Sequence, residues 1–160
     1  MIKEVTGDIL LSEAEAIAHG VAPMDHFDKG LALSLRKNYP SMVKDFRHYC
    51  KLRHPKPGEA WIWSDVGGIR IINLMTQEAA TGYNGHPGEA TLSNVNHALK
   101  ELAKIIKKKK IKSLAIPKIA TGLGTLDWED VRPLIYNRLK DLDIPVYLYS
   151  LYQKGEKAAE

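Results

Sequence analysis

The sequence has no apolar run of the roughly 18 residues that a membrane-spanning helix needs. Its first ten residues, MIKEVTGDIL, lack the pattern of a signal peptide. There is one cysteine, Cys50, which excludes an internal disulfide and favours a reducing compartment. Because Cys50 lies in an amphipathic helical stretch, it is interpreted as a packed, inert thiol. We therefore expect a soluble, cytoplasmic protein without membrane partners.

Length and composition predict one domain without repeats. The chain has 160 residues, and its 44% of hydrophobic residues suffice for one sizeable core. We assign residues 1–153 to this domain. Residues 154–160 are polar and are predicted to form a frayed C-terminal tail.

The net charge of +4 comes largely from one lysine run, Lys107–Lys110 followed by Lys112. Such a run can attract nucleic acid or another polyanion. It can also be a solvated helix end, where cations complement the negative end of the helix dipole. The lack of interleaved aromatic residues favours the helix end, and a weak nucleic-acid contact through Lys107–Lys112 stays open as the alternative.

Segments with the patterns of strands and helices alternate along the chain. Strands are predicted at 2–5, 15–21, 59–64, 69–75, 113–119 and 145–151, and helices at 31–37, 41–52, 91–108 and 128–139. This order predicts an α/β protein, a three-layer α/β/α sandwich with a mixed, mainly parallel sheet. The turn Asp65–Gly68 between two strands predicts its antiparallel part.

The loops that follow the strands are the candidate functional site, since ligands of such sheets bind at the carboxyl ends of the strands. These loops are 22–30, 76–88 and 120–126. A loop as long as 76–88 is often functional, and His86 within it is a candidate for the pocket wall. His19, at the preceding strand, is interpreted as a satisfied core residue.

The loop Ala120–Thr125 connects a buried strand to a helix and contains two glycines. Glycines let a chain approach a ligand closely, and successive backbone N–H groups ahead of a helix suit a phosphate. A plain glycine-rich turn is the alternative. Asp127 is interpreted as the N-cap of the helix that follows.

The loop after the second strand concentrates Asp25, His26 and Asp28, three side chains that can take or give protons. It also opens a helix and could therefore offer backbone N–H groups. The alternative is a solvated polar loop in which Asp28 caps the helix.

Three stretches resemble the macrodomain family: VTGDIL at 5–10, Gly-Leu-Ala at 30–32, and SLAIPKIATGLGTLDWEDVRPLI at 113–135. The resemblance covers about residues 2–149. It is nearest to the subgroup of the terminal ADP-ribose protein glycohydrolase and the macrodomain of the DNA ADP-ribosyl glycohydrolase antitoxin. It implies a macrodomain fold and a pocket for ADP-ribose or an ADP-ribosylated partner, with no cofactor and no metal ion.

The resemblance also implies which residues meet the ligand. From one end of ADP-ribose to the other, these are Asp8, Ile9 and Tyr149 at the adenine, Lys29, Gly30 and Leu31 on one side of the diphosphate, Thr121, Gly122, Leu123 and Gly124 on its other side, and Thr76 and Gln77 at the distal ribose.

Two departures from the subgroup concern catalysis. Its glycohydrolases use a lysine in the loop after an NL-x-T strand, whereas NLMTQE at 73–78 has none, and the protein glycohydrolase has an aspartate where Gly124 stands. The catalytic set is therefore replaced or lost. Replacement is predicted to use Asp25, His26 and Asp28, one of which would activate water at the anomeric carbon. We expect hydrolysis of an ADP-ribosyl adduct of protein, nucleic acid or a small molecule. The alternatives are binding without turnover and an ADP-ribose-1″-phosphate phosphatase.

Overall fold

The computed structural model describes residues 1–80 and 87–160. In this part of the chain, strands and helices alternate. The strands are β1 (Ile2–Gly7), β2 (Ala16–Val21), β3 (Ala60–Ser64), β4 (Arg70–Met75), β5 (Leu114–Pro117) and β6 (Val146–Tyr152), and the helices are α1 (Gly30–Asn38), α2 (Pro40–Arg53), α3 (Leu92–Lys109) and α4 (Trp128–Leu139).

Helix α3 shows how local sequence sets the elements. The side chain of its N-cap, Thr91, accepts a hydrogen bond from the backbone N–H of Asn94. A stripe of apolar residues that includes Leu99 and Ile106 is buried. The helix ends where Lys110 takes left-handed backbone angles. Neither α3 nor any other helix of the described residues is long and apolar enough to cross a membrane.

The strands form one sheet in the order β1-β6-β5-β2-β4-β3. All neighbouring pairs are parallel except β3 and β4, which form the predicted antiparallel hairpin. Strands β2 and β5 are neighbours at the middle of the sheet. The strands that follow β2 in the chain, β3 and β4, lie on one side of this pair, whereas β6, which follows β5, lies on the other side. The carboxyl ends of β2 and β5 therefore lie at the switch point, where such sheets bind ligands.

Helices cover both faces of the sheet. On β4, Ile72 and Leu74 pack in the cluster that contains residues of α3 and α4, whereas Ile71 and Met75 pack in the cluster that contains residues of α1 and α2. The fold is thus the predicted three-layer sandwich. Cys50 is buried in the second cluster, and burial raises the pKa of its thiol, as expected of an inert cysteine.

The predicted strands and helices are all present, with bounds that differ by no more than two residues. The prediction missed a short 3-10 turn at Ile9–Leu11. It was wrong about the C-terminus: residues 153–160 are not frayed but lie against the end of β1 and this turn. The backbone N–H of Asp8, for example, donates to the carbonyl oxygen of Glu156 at 2.7 Å.

Candidate functional site

A cavity of about 320 Å³ opens where the carboxyl ends of β2 and β5 meet. The first loop, residues 22–30, and the start of α1 form one wall. The second loop, residues 118–126, forms the other wall. Both walls follow strands of the same parallel set, so the topology of the sheet places them side by side.

The second loop presents a row of backbone donors. The N–H groups of residues 120–124 have no acceptor within the described part of the chain. Ala120 has a φ of 64°, in the left-handed region that often turns neighbouring N–H groups to one side. The loop holds its shape through its own bonds, of which the one from the N–H of Leu126 to the carbonyl of Ala120 is 2.9 Å long. Unpaired N–H groups in a fixed loop form an anion site.

The two glycines of the second loop differ in the space around them. A Cβ at Gly124 would lie 2.6 Å from the carbonyl oxygen of Ala120 and 2.9 Å from the Cβ of Ala90. Position 124 therefore requires glycine, and an aspartate does not fit there while the loop keeps this shape. A Cβ at Gly122 would meet no described atom within 4 Å. Because Gly122 lines the cavity, a side chain there would compete with a ligand for the same space.

The first loop supplies the opposite row of donors. The N–H groups of residues 28–31 have no acceptor among residues 1–80 and 87–160. Gly30 begins α1 with a φ of 59°, a conformation that glycine adopts without strain. The N-cap of α1 is Lys29 and makes no side-chain cap bond, so the alternative of Asp28 as the cap is not what the structure shows. Backbone donors thus line both walls.

Asp25 and Asp28 line the cavity, but their carboxylates differ in what they bind. Oδ2 of Asp25 accepts a hydrogen bond from the N–H of Ala22, and Oδ1 accepts one from the N–H of Phe27, both at 2.9 Å. Asp25 therefore holds the first loop in shape. Asp28 is exposed, and none of the ion pairs among the described residues involves it. Of the two carboxylates, Asp28 is the one available to a ligand or to water.

A buried histidine, His19, also lines the cavity and is 2% exposed. Its Nε2 lies 2.7 Å from Oδ1 of Asn73, whose Nδ2 donates to the carbonyl oxygen of Trp61. Since Asn73 must then accept through Oδ1, the proton of His19 is on Nε2. Burial lowers the pKa of His19, although the Asn73 bond opposes this. His19 is therefore a satisfied core residue, as predicted, and a neutral one.

The described ends of the third loop, residues 76–80 and 87–88, lie next to the second loop. Gln77 and Ala90 form an antiparallel bridge, and the side-chain amide of Gln77 donates to the carbonyl of Gly88 at 3.0 Å. The N–H of Ala90 donates to the carbonyl of Gly124 at 3.1 Å. Gln77 follows the NL-x-T strand, in the loop where the resembled subgroup of glycohydrolases has a lysine. Its amide is engaged in closing the loop.

The Macro domain family model matches residues 19–135, a span that contains both walls of the cavity. This chain belongs to the macrodomain family. Its similarity extends to the DNA ADP-ribosyl glycohydrolase of Mycobacterium tuberculosis, with 29% identity over 154 residues. These residues are 92% of this macrodomain and 42% of that protein, so the chain spans less than half of the relative's length.

The similarity to two further proteins extends over nearly the whole length of both chains in each comparison. An ADP-ribose glycohydrolase of Homo sapiens is 24% identical over 151 residues, which are 94% of this macrodomain and 91% of that protein. The solved macrodomain of Mycobacterium tuberculosis DarG superposes with a TM-score of 0.81 at 27% identity, covering 93% of this chain and 97% of that one. The whole cavity therefore lies in a fold shared with these relatives.

The structure brings most of the predicted site residues of this macrodomain together. Those that line the cavity are Asp25, Asp28, Lys29, Gly30, Leu31, Gln77, Gly122, Leu123 and Gly124. Those that do not line it are Asp8, Ile9, His26, Thr76, Thr121 and Tyr149. Thr76 is fully buried, and its hydroxyl has no partner in the described residues. His86 lies outside the described residues.

The three residues predicted at the adenine lie beside the cavity rather than in it. Asp8 is 6% exposed and Tyr149 is 4% exposed, and Ile9 is buried with Tyr149 in one small cluster. Leu31 lines the cavity and also packs against this cluster. The predicted adenine end is thus adjacent to the cavity but covered.

Lys118 lines the cavity and was missed by the sequence analysis. It comes directly after β5, so its position at the carboxyl end of a central strand was the available signal. Its Nζ lies 5.9 Å from the centre of the Trp128 ring. Lys29 lies on one wall and Lys118 lies on the other, so each row of donors has a cationic side chain on its wall.

No three His, Cys, Asp or Glu side chains of the described residues are grouped as ligands for a metal ion.

Proposed function

We propose that this macrodomain binds ADP-ribose and hydrolyses an ADP-ribosyl group from an adduct. The observation that carries the proposal is the pair of backbone N–H rows, at 28–31 and 120–124, on opposite walls of one cavity. A diphosphate exposes charged oxygens in several directions, so two facing rows suit it better than one. Lys29 and Lys118 add cationic charge to the same walls.

The size of the cavity agrees with a small-molecule ligand. Its volume, about 320 Å³, is at the lower end of the range of such sites, roughly 300–1,000 Å³. We assign the cavity to the diphosphate and the distal ribose. The base would extend past Leu31 toward Asp8, Ile9 and Tyr149, which the C-terminal segment covers in this structure.

We assign the general base to Asp28. Hydrolysis breaks the bond between the anomeric carbon and the acceptor atom, and the acceptor leaves with the bonding electrons and takes up a proton. The oxygen of water forms the new bond to that carbon, and Asp28 accepts the proton that this water loses. Asp25 would be a positioning residue, because its two oxygens hold the first loop. His26 lies outside the cavity lining and would act through the loop at most.

The acceptor is proposed to be a modified macromolecule. The mycobacterial relative is named a DNA ADP-ribosyl glycohydrolase, which makes ADP-ribosylated DNA the first substrate to test. The lysine run lies at the far end of α3, a helix about 27 Å long at 1.5 Å per residue. The N-terminus of α3 is the end beside the second loop, since Ala90 bonds to Gly124. A nucleic-acid contact through Lys107–Lys112 would therefore be separate from the reacting group.

A reader that binds without turnover is the second candidate. It is favoured by Gln77, whose amide is engaged with Gly88, and by Gly124, where a catalytic aspartate does not fit. In this case Asp28 would only repel the diphosphate. The two candidates share the binding site and differ only in the chemistry at the distal ribose.

Calorimetric titration with ADP-ribose tests the binding, and the same sample is then assayed for release of ADP-ribose from modified DNA and from modified protein. We expect saturable one-to-one binding and release from at least one of the two substrates. Binding without release from either one would favour the reader. Absence of binding would contradict the assignment of the cavity to ADP-ribose.

A further inference from the structure

The C-terminal segment, residues 153–160, folds back over the end of β1. The N–H of Gln153 donates to the carbonyl of Gly7 at 3.0 Å, and the N–H of Gly155 donates to Oδ2 of Asp8 at 3.0 Å. Gly7 has no side chain, and a Cβ there would lie 2.8 Å from the carbonyl oxygen of Glu156. The surface under the segment is therefore shaped to receive it.

Both carboxylate oxygens and the backbone N–H of Asp8 form hydrogen bonds in this arrangement. Its Oδ1 accepts from the N–H of Leu10 at 3.0 Å, its Oδ2 accepts from the segment, and its own N–H donates to the carbonyl of Glu156. Asp8 is only 6% exposed under the segment, so a base amino group would compete with the N–H of Gly155 for its carboxylate. The segment thus offers Asp8 the same kind of partner that an adenine would offer.

Glu160 fastens the far end of the segment. Its Oε2 accepts from the hydroxyls of Ser12 and Tyr149 at 2.5 and 2.6 Å, and its Oε1 accepts from the N–H of Glu13 at 3.0 Å. Lys157 adds an ion pair with Glu13, in which both side chains are largely exposed. The two polar groups of the predicted adenine end, on Asp8 and Tyr149, are therefore both bonded to the segment.

The segment buries few of its own side chains and can therefore dissociate from the surface under it. Ala158 is the one buried residue of 153–160, and the others are exposed or half-exposed. Its attachment consists mainly of hydrogen bonds that water or a ligand can replace, each with a modest net contribution to stability. Little apolar area would be lost on release.

We propose that residues 153–160 are an autoinhibitory strap that occupies the base subsite and competes with the adenine of an incoming ligand. This inference rests on the proposed function, because that function assigns Asp8 and Tyr149 to the base. A ligand without a base would bind the diphosphate loops with the strap docked. A ligand with an adenine would bind only when the strap is released, so its apparent affinity would be its intrinsic affinity multiplied by the fraction of molecules in the released state.

The first arm of the test measures amide hydrogen exchange of residues 153–160 in the unaltered chain. We expect saturating ADP-ribose to speed exchange in this segment and ribose 5-phosphate to leave it unchanged. Slower exchange with ADP-ribose would mean that the segment closes over the base as part of the binding site, and it would overturn the strap.

The second arm compares Glu160→Ala with Glu156→Ala. Both remove a glutamate from the strap, but the side chain of Glu156 is exposed and only its backbone contacts Asp8. We expect Glu160→Ala to tighten ADP-ribose binding by about tenfold, the factor for one charge-assisted hydrogen bond, and to leave ribose 5-phosphate binding unchanged. Glu156→Ala should change neither.

The outcomes separate this proposal from the one on which it rests. Weaker or unchanged ADP-ribose binding by Glu160→Ala, with fast exchange in the segment, overturns the strap and leaves the proposed function standing. If neither the unaltered chain nor Glu160→Ala binds ADP-ribose, the proposed function fails and the strap fails with it.

Discussion

Gly124 lies so close to Ala120 that a Cβ at position 124 would be 2.6 Å from the carbonyl oxygen of Ala120. The same carbonyl accepts the N–H of Leu126, and the carbonyl of Gly124 accepts the N–H of Ala90. The contact between the two residues therefore fixes the curvature of the second loop and its attachment to the third.

Replacement of Gly124 by alanine should open this curvature. We expect a loss of stability of about 1–3 kcal/mol, as is usual when atoms are forced into filled space, and ADP-ribose binding weakened at least tenfold. Thermal unfolding and calorimetric titration measure the two effects. The matched control is Gly122→Ala, which adds the same methyl group where no atom of the described residues lies within 4 Å and should leave stability nearly unchanged. Equal stability losses in the two variants would contradict the assigned role of Gly124.

Replacement of Gly122 by glutamate should separate binding from folding. The side chain would begin in open space beside the cavity and bring a negative charge to the proposed diphosphate site. We expect an unchanged melting temperature and no detectable ADP-ribose binding. A folded Gly122→Glu variant with unaltered affinity would show that the second loop does not contact the ligand.

The two cavity carboxylates should respond differently to removal. Asp28→Asn should keep the fold and the affinity for ADP-ribose but reduce the rate of ADP-ribose release by about 100-fold or more, within the range expected for a lost general base. Single-turnover assays measure this rate directly. Faster release or tighter binding would instead mean that Asp28 only repels the diphosphate.

Asp25→Asn should act through the shape of the first loop. It leaves one amide oxygen where two carboxylate oxygens now accept from Ala22 and Phe27, so we expect lower stability and weaker binding together. Thermal unfolding and titration report both. A variant that lost only turnover would mean that Asp25 takes part in the reaction, as Asp28 is proposed to do, and not only in the shape of the loop.

The buried histidine should make the protein sensitive to acid. Burial lowers the pKa of His19 in the folded state, so the unfolded chain binds its proton at higher pH. The stability that this difference contributes is fully present above the unfolded pKa of about 6.5 and is lost as the pH falls through and below that value. Unfolding by urea between pH 7.5 and pH 5 should show the loss, at up to about 1.4 kcal/mol per pH unit.

His19→Gln tests the origin of this slope. Glutamine can still donate to Oδ1 of Asn73 but does not titrate, so the variant should show a smaller loss of stability in acid. His48 is an exposed histidine on α2, and His48→Gln should keep the full slope. An unchanged acid slope in His19→Gln would assign the sensitivity to other groups.

The sequence allowed prediction of the layers and of the two loops that line the cavity, because both follow from general rules. Alternating or continuous apolar residues mark the strands, and the switch point places the ends of β2 and β5 together. Gly124 stands where a close contact requires glycine, and Gly30 stands where a positive φ favours it. These features depend on neighbours within a few residues.

The C-terminal strap was mispredicted because its partners are distant in sequence. Glu160 bonds to Ser12 and Glu13, nearly 150 residues earlier, and nothing in the polar letters of 154–160 indicates this. The sequence could not separate Asp25 from Asp28 for a similar reason. An aspartate that binds two backbone N–H groups and an aspartate that faces a cavity look alike until the loop is folded.

The position of the lysine run gives the molecule a polarity. Lys107–Lys110 lie at the end of α3 that is away from the cavity, and Lys112 follows two residues later. A polyanion that bound the lysine run would therefore contact the protein at the end of α3 away from the cavity. If the proposed function holds, a chain bound to a polyanion in this way would keep its cavity free for a ligand.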